Sequence, residues 1–191
     1  MKGAININSL LLYGNEKDNQ ITNTLLGTIR ASGLSALHIT NHSVAMIPPS
    51  SKQPDYLVLD NADMQYIQLA KGIVIFKQGI SFYQNGFNLP KEFFAIVDPE
   101  NEDAVSMLKK SCMQTITCGM SKKDTFNFSS IGQEKAVVSL QHTIQNLDGD
   151  IIEPCELPIL FTSIHSEYAL LSSVAVLMLS GIEIQNDLFI Y

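Results

Sequence analysis

NSLLLYGNEKDNQITNTLLGTIRASG, running from Asn8 to Gly33, decides the fold of this chain. Ser9–Tyr13 is a short apolar run that reads as a buried strand, and Gly14-Asn15-Glu16-Lys17-Asp18 reads as a polar turn. Asn19 is placed to cap a helix. Ile21, Leu25, Leu26 and Ile29 then recur on one helical face, and Gly33 is the stop. In a doubly wound α/β domain the loop after the first strand faces a helix N-terminus, which is where a phosphate sits. A phosphate loop, however, offers several glycines, a lysine and a Ser/Thr for the metal. Here only Gly14 remains, and Glu16 and Asp18 bring negative charge to the same place.

Composition narrows the function classes. The 191 residues suffice for one core, and 46% hydrophobic against 16% charged residues marks a globular chain rather than a disordered one. A net charge of −7 opposes a nucleic-acid face, and the pairs Lys109-Lys110 and Lys122-Lys123 read as solvated positions at element ends. Cys112, Cys118 and Cys155 are odd in number and lack metal spacing, so reduced thiols in a cytoplasmic protein are expected. The opening MKGAININS has no apolar core behind its lysine, and the longest apolar segment, Tyr168–Leu179, is too short to span a bilayer. Neither nucleic acid nor membrane is expected as a partner.

Outward from the first unit, strands are expected at Ser35–Thr40, Tyr56–Leu59, Gly72–Phe76, Phe93–Val97 and Thr115–Cys118, with an edge strand or turn at His42–Ile47. Short helices are expected at Ala62–Ala70 and Pro99–Lys110, and a hairpin at Ile80–Phe87. From about residue 125 to 161 the period changes to two. Thr125–Ser130 and Lys135–Ile144 alternate, Asp148-Gly149 is a hairpin turn, and Cys155–Phe161 carries Pro158, which places it at an edge. An apolar helix over His165–Ser180 ends at Gly181, followed by a tail that is apolar at Leu188, Phe189, Ile190 and Tyr191. The expectation is a single α/β domain over 1–191: three layers, a mostly parallel sheet flanked by helices, and an antiparallel β flank. The helix is apolar nearly all round, so the tail is expected to pack on the core or across a contact with a second copy.

The order of these parts resembles the central, ATP-binding domain of the Mur ligases, the amino-acid ligases of peptidoglycan synthesis, and the resemblance covers nearly the whole chain. LLYGNEKDNQITNTLLGTIRASG resembles that family's strand, Thr-Gly-Thr-Asn-Gly-Lys-Thr-Thr loop and helix. PDYLVLDNAD resembles the strand that ends in a metal-associated Glu, and FFAIVDPENEDAVSMLKKS the strand with Asn-x-Asp-Asp and its helix. IHSEYALLSSVAVLMLSGI resembles the family's His-Asn-x-x-Asn helix, with the His-to-Gly spacing intact at His165 and Gly181.

The departures define the expected site. Aligned on Gly14, Lys17 stands at the second glycine, Asp18 at the phosphate-binding lysine and Asn19 at the metal-binding threonine. Gly14, Asn15, Lys17 and Asn19 are therefore the vestigial phosphate loop, and Asp60, at the metal-side Glu, is the one weak metal candidate. Asp98 replaces the Asn of Asn-x-Asp-Asp, while Ser166 and Ala169 replace the two asparagines after the histidine. The family's carbamylated lysine belongs between Ile75 and Phe93, where the reading finds no counterpart. No catalytic residue is assigned, and His38, His42 and the cysteines lack the spacing of zinc ligands. The expected function is a non-catalytic binding or scaffolding module without cofactor, its partner a second copy in a homodimer or another protein, in the family's peptidoglycan context. The alternative is a nucleotide- or metabolite-binding protein that takes Mg-ATP, as a subunit completed by other chains.

Overall fold

The computed structural model describes residues 7–15, 17–49, 53–60, 67–78, 90–162, 166–184 and 188–190. Its main sheet has seven strands: β1 (Asn8–Tyr13), β2 (Ala36–Thr40), β3 (Val44–Ile47), β4 (Tyr56–Asp60), β5 (Gly72–Phe76), β6 (Phe93–Val97) and β7 (Gln114–Thr117). Their order is β3-β2-β4-β1-β5-β6-β7, parallel throughout except for β3, which runs antiparallel to β2 at the edge. The central strands are continuous apolar runs because both faces of the sheet are covered. Along β5, Ile73 and Ile75 enter one core while Val74 and Phe76 enter the other. In β6, Phe94 and Ile96 face the first core, and Phe93, Ala95 and Val97 the second.

Helix α1 (Gln20–Ala31) and helix α3 (Glu167–Leu179) pack together over the first core, and the shorter α2 (Glu102–Leu108) covers the second. Both long helices end in the same C-terminal motif. The amides of Gly33 and Leu34 return to the carbonyls of Arg30 and Ile29, and those of Gly181 and Ile182 return to Met178 and Leu177, with both glycines at positive φ. The expected stops at Gly33 and Gly181 are thus real backbone turns. At the start of α1 the structure differs from the sequence reading. Asn19 occupies the cap position but its side chain caps nothing, and the Asp18 carboxylate accepts the Gln20 amide at 3.3 Å. Helix α2 is also shorter than Pro99–Lys110, because Asn101 caps it by accepting the Ala104 amide at 3.1 Å.

A second sheet lies on the other side of α3. Its order is β13-β12-β9-β8, with β8 at Phe126–Ile131, β9 at Lys135–Leu140, β12 at Cys155–Phe161 and β13 at Leu188–Ile190. A small hairpin joins β10 (Ile144–Gln145) to β11 (Ile151–Ile152) through the Asp148-Gly149 turn. Pro158 does not mark an edge strand, since β12 lies between β9 and β13. Strand β13 pairs only with Ile159–Phe161, so on that side Pro158 falls beyond the paired segment and its missing N–H breaks no β13 bond. The expected hairpin Ile80–Phe87 and residues 61–66 of the expected helix Ala62–Ala70 lie outside the described residues; Ile67–Ala70 is not helical.

Helix α3 carries no amphipathic stripe. Every residue from Tyr168 to Leu179 except Met178 is buried, against α1, β6 and β8. The tail completes this burial: β13 adds in parallel to β12 and packs on α1, with Ile190 fully buried. Ile190→Ala should therefore lower the unfolding free energy by roughly 2–5 kcal/mol, as for other buried Ile truncations. Urea denaturation reads this directly, and an unchanged midpoint would show that the tail is not part of the core.

Candidate functional site

The crevice of a parallel sheet opens at the carboxyl ends of its strands, where the strand order reverses. Here that point is β1, since the chain passes from β1 to β2 on one side and from β4 to β5 on the other. Three strand ends converge there: Gly14 after β1, Asp60 at the end of β4, and Lys77 after β5.

These ends are joined by a buried polar cluster. Lys77, with no exposed surface, directs its ammonium to both carboxylate oxygens of Asp60, at 2.7 and 2.9 Å. Thr22, in the first turn of α1, donates its hydroxyl to Asp60 Oδ2 at 2.6 Å. The Lys77 main chain is fixed from both sides: its amide donates to the Tyr13 carbonyl at 2.8 Å, and its carbonyl accepts from Asn101 Nδ2 at 3.1 Å. Gly14 lies flat against this residue. Its φ is +145°, and a Cβ there would come within 2.7 Å of Lys77 Cβ. A charge-assisted pair of this kind is strong in a dry site, and leaving either member unpaired is costly.

The sequence reading missed Lys77. It lies in the span between Ile75 and Phe93 that the reading left without a functional lysine, and it meets Asp60 only because β1 brings β4 and β5 to either side of itself. The available signal was local: a lysine directly following GIVIF, every residue of which is buried. Thr22 was missed as well, since a threonine on an apolar helix face reads as core.

The four residues expected in the vestigial loop do fall together at the N-terminus of α1, where three amides of the loop are taken up by the loop itself. Asn15 Oδ1 accepts the Lys17 amide at 3.0 Å, the Asn15 carbonyl accepts the Asp18 amide at 3.0 Å, and Asp18 takes the Gln20 amide. The Lys17 residue is exposed. Glu16 and His165 lie outside the described residues.

Beside Lys77, a cleft of about 480 Å³ opens at the ends of β5 and β6, lined by Gln78, Asp98, Glu100, Asn101, Glu102 and Asp103. Asp98 is held in place by the Glu100 amide at 2.9 Å and Gln78 Nε2 at 3.2 Å. Deeper in the sheet, the Tyr168 hydroxyl donates to the Phe76 carbonyl at 2.9 Å, shared with that of Ile96 at 3.1 Å, and burial pushes its pKa well up. Burial likewise raises the Cys118 thiol, with Asp124 and Asp98 adding to the effect, so this cysteine is an inert core residue. Half-buried His38 has its pKa lowered by burial, opposed by Asp60 and reinforced by Lys77. No group of three or more His, Cys, Asp or Glu is gathered for a metal among the described residues.

No protein-family profile and no curated protein sequence matches this chain. Solved structures do. MurF from Acinetobacter baumannii matches over 94% of this chain and 44% of its own, at 14% identity and TM-score 0.55. The fold is that of the Mur-ligase central domain. The UDP-N-acetylmuramate:L-alanyl-gamma-D-glutamyl-meso-diaminopimelate ligase from Neisseria meningitides matches over 94% of this chain and 64% of its own, at 10% identity and TM-score 0.58. A bifunctional folylpolyglutamate synthase/dihydrofolate synthase from Yersinia pestis, solved with AMPPNP and Mn ion, matches over 93% and 54%, at 10% identity and TM-score 0.55. This chain thus spans about half the length of the solved structures it matches, and at these identities the likeness is one of fold.

The Mur-ligase fold implies a Mg-nucleotide at this crevice, and the residues present do not fit one. Among the described loop amides, those of Lys17, Asp18 and Gln20 already bond oxygens of the loop itself. The buried ammonium and the Thr22 hydroxyl are both directed at Asp60, and the adjoining cleft is lined by four carboxylates. Gly14→Ala should test how tightly the loop is locked to Lys77. The positive φ and the 2.7 Å approach predict a loss of about 1–3 kcal/mol in urea denaturation. An unaltered midpoint would mean that the loop is free of Lys77.

Proposed function

We propose that this chain is a non-catalytic, Mur-ligase-like binding module whose phosphate loop is degenerate, acting in the cytoplasm. The observation that carries the reading is the self-satisfied crevice, where the Lys77 ammonium and the Thr22 hydroxyl both close on Asp60. ATP-dependent ligation depends on preorganised positive charge around the transferred phosphoryl group. In this crevice the buried cation is neutralised and the neighbouring groups are anionic, so triphosphate meets net repulsion.

Its partner is a second copy of the chain, meeting at the β3 edge. The outer side of β3 has no strand neighbour among the described residues, and Val44 and Met46 on it are 68% and 45% exposed. The stretch from Leu34 to Ser51 contains no Asp, Glu, Lys or Arg, in a chain of net charge −7. Two copies can therefore approach along this edge without like-charge repulsion, and an antiparallel pairing of β3 with itself obeys two-fold symmetry.

Isothermal titration with Mg-ATP should show no binding tighter than about 1 mM, because the groups that give phosphate its affinity are absent or engaged. A micromolar isotherm would overturn the non-catalytic reading. Sedimentation should show a dimer that Met46→Lys converts to monomer, since a lysine on a free edge opposes strand pairing. A wild-type monomer at tens of micromolar would rule out self-association through β3.

A further inference from the structure

The Asp60–Thr22 pair is a carboxylate beside a hydroxyl, two hard oxygen donors held 2.6 Å apart at the end of a parallel strand. Hard oxygens so placed suit a divalent cation. Here the position is taken by an ammonium that belongs to the chain. Lys77 is fully buried, both oxygens of Asp60 bond its Nζ, and its backbone is pinned through Tyr13 and Asn101. Gly14 admits the lysine stem, because any side chain there would strike Lys77 Cβ.

We propose that Lys77 is the resident cation of this crevice: a covalently tethered replacement for a metal ion, which neutralises the Asp60 carboxylate that Thr22 also bonds and makes the fold indifferent to divalent cations. The proposal is independent of the partner assigned above. It also stands apart from nucleotide binding, since a metal-free nucleotide isotherm would overturn the non-catalytic reading and leave this one untouched.

Two observations and one physical argument converge on it. First, Asp60 is only 7% exposed, so its charge needs a counter-ion, and Lys77 supplies one. Second, the cation follows β5, 17 residues after Asp60, and its contact with Asp60, which Thr22 also bonds, joins the ends of β4 and β5 to the first turn of α1 as a bound ion would. Third, a tethered ammonium is present at unit stoichiometry at every ionic composition, whereas a metal ion is held only in proportion to its concentration.

The test is to remove the tethered cation and offer a free one. Lys77→Ala leaves Asp60 buried and unpaired, and should lower the melting temperature by roughly 10 °C in EDTA. The space vacated lies against the Asp60 carboxylate and the Thr22 hydroxyl. About 10 mM MgCl₂ or MnCl₂ should then restore roughly 3–6 °C in this variant, as expected for a site of millimolar affinity. The wild type and the double variant Asp60→Asn/Lys77→Met should not respond. The double variant should also fold, because a buried pair replaced on both sides leaves no orphan charge.

A wild-type melting temperature that rises by the same amount with MgCl₂ or MnCl₂ would overturn the proposal, as would a Lys77→Ala protein that neither ion stabilises. If Lys77→Ala is unfolded in EDTA, circular dichroism in MnCl₂ becomes the readout. Recovery of helix supports the tethered-cation reading, and no recovery refutes it.

Discussion

A helix that is apolar on every side cannot lie on a surface. That constraint, set by YALLSSVAVLML in α3, shapes the rest of the molecule. One sheet can cover only one side of such a helix, and α1 covers part of a second. The remaining side needs another apolar layer, which the β8–β9–β12–β13 sheet provides. The antiparallel flank is therefore a structural necessity of α3. The two serines on the helix, Ser172 and Ser173, are accommodated because each hydroxyl donates back to the Ala169 carbonyl, at 3.2 and 2.7 Å, leaving no buried donor unpaired.

The crevice follows a different logic. A parallel sheet brings the carboxyl ends of β4 and β5 to either side of β1, and with them one buried carboxylate and one buried ammonium. In low dielectric their attraction is large, but so is the penalty for taking them out of water, and the contact gives the crevice a fixed geometric definition. That definition extends outward through Lys77 to Tyr13 and Asn101, and through Asn101 to the first turn of α2. The loop after β1, which in this fold would face a phosphate, instead folds on its own Asn15 and Asp18.

The fold was legible in the sequence wherever burial on two faces left unbroken apolar runs. Tyr56–Leu59, Gly72–Phe76 and Phe93–Val97 read as strands for that reason, and the structure places them within one residue of those bounds. The resemblance to the Mur-ligase central domain was carried by the order of such runs, and the solved structures bear out that fold. The interior of the site was far less legible. Lysine is seldom fully buried, so nothing drew attention to Lys77, and its partner, Asp60, lies on a strand that topology alone makes a near neighbour. Local competition was equally hidden. Asn19 holds the cap position of α1 as expected, yet it is the Asp18 carboxylate that accepts the Gln20 amide. Ser166 and Ala169, read only as replacements for two asparagines, turn out to be partners: the Ser166 hydroxyl accepts the Ala169 amide at 3.1 Å and starts α3.

The contact of α1 with α3 and β13 has a consequence for synthesis. Ile21, Leu25 and Ile29 are made well before Glu167–Leu179 and Leu188–Ile190, which supply part of the surface that buries them. Until those segments are made, part of the apolar face of α1 lacks its native cover, and contacts of such long sequence separation form slowly. A chain stalled before Glu167 therefore leaves apolar surface of α1 and the sheet uncovered, the condition that makes folding intermediates prone to aggregate.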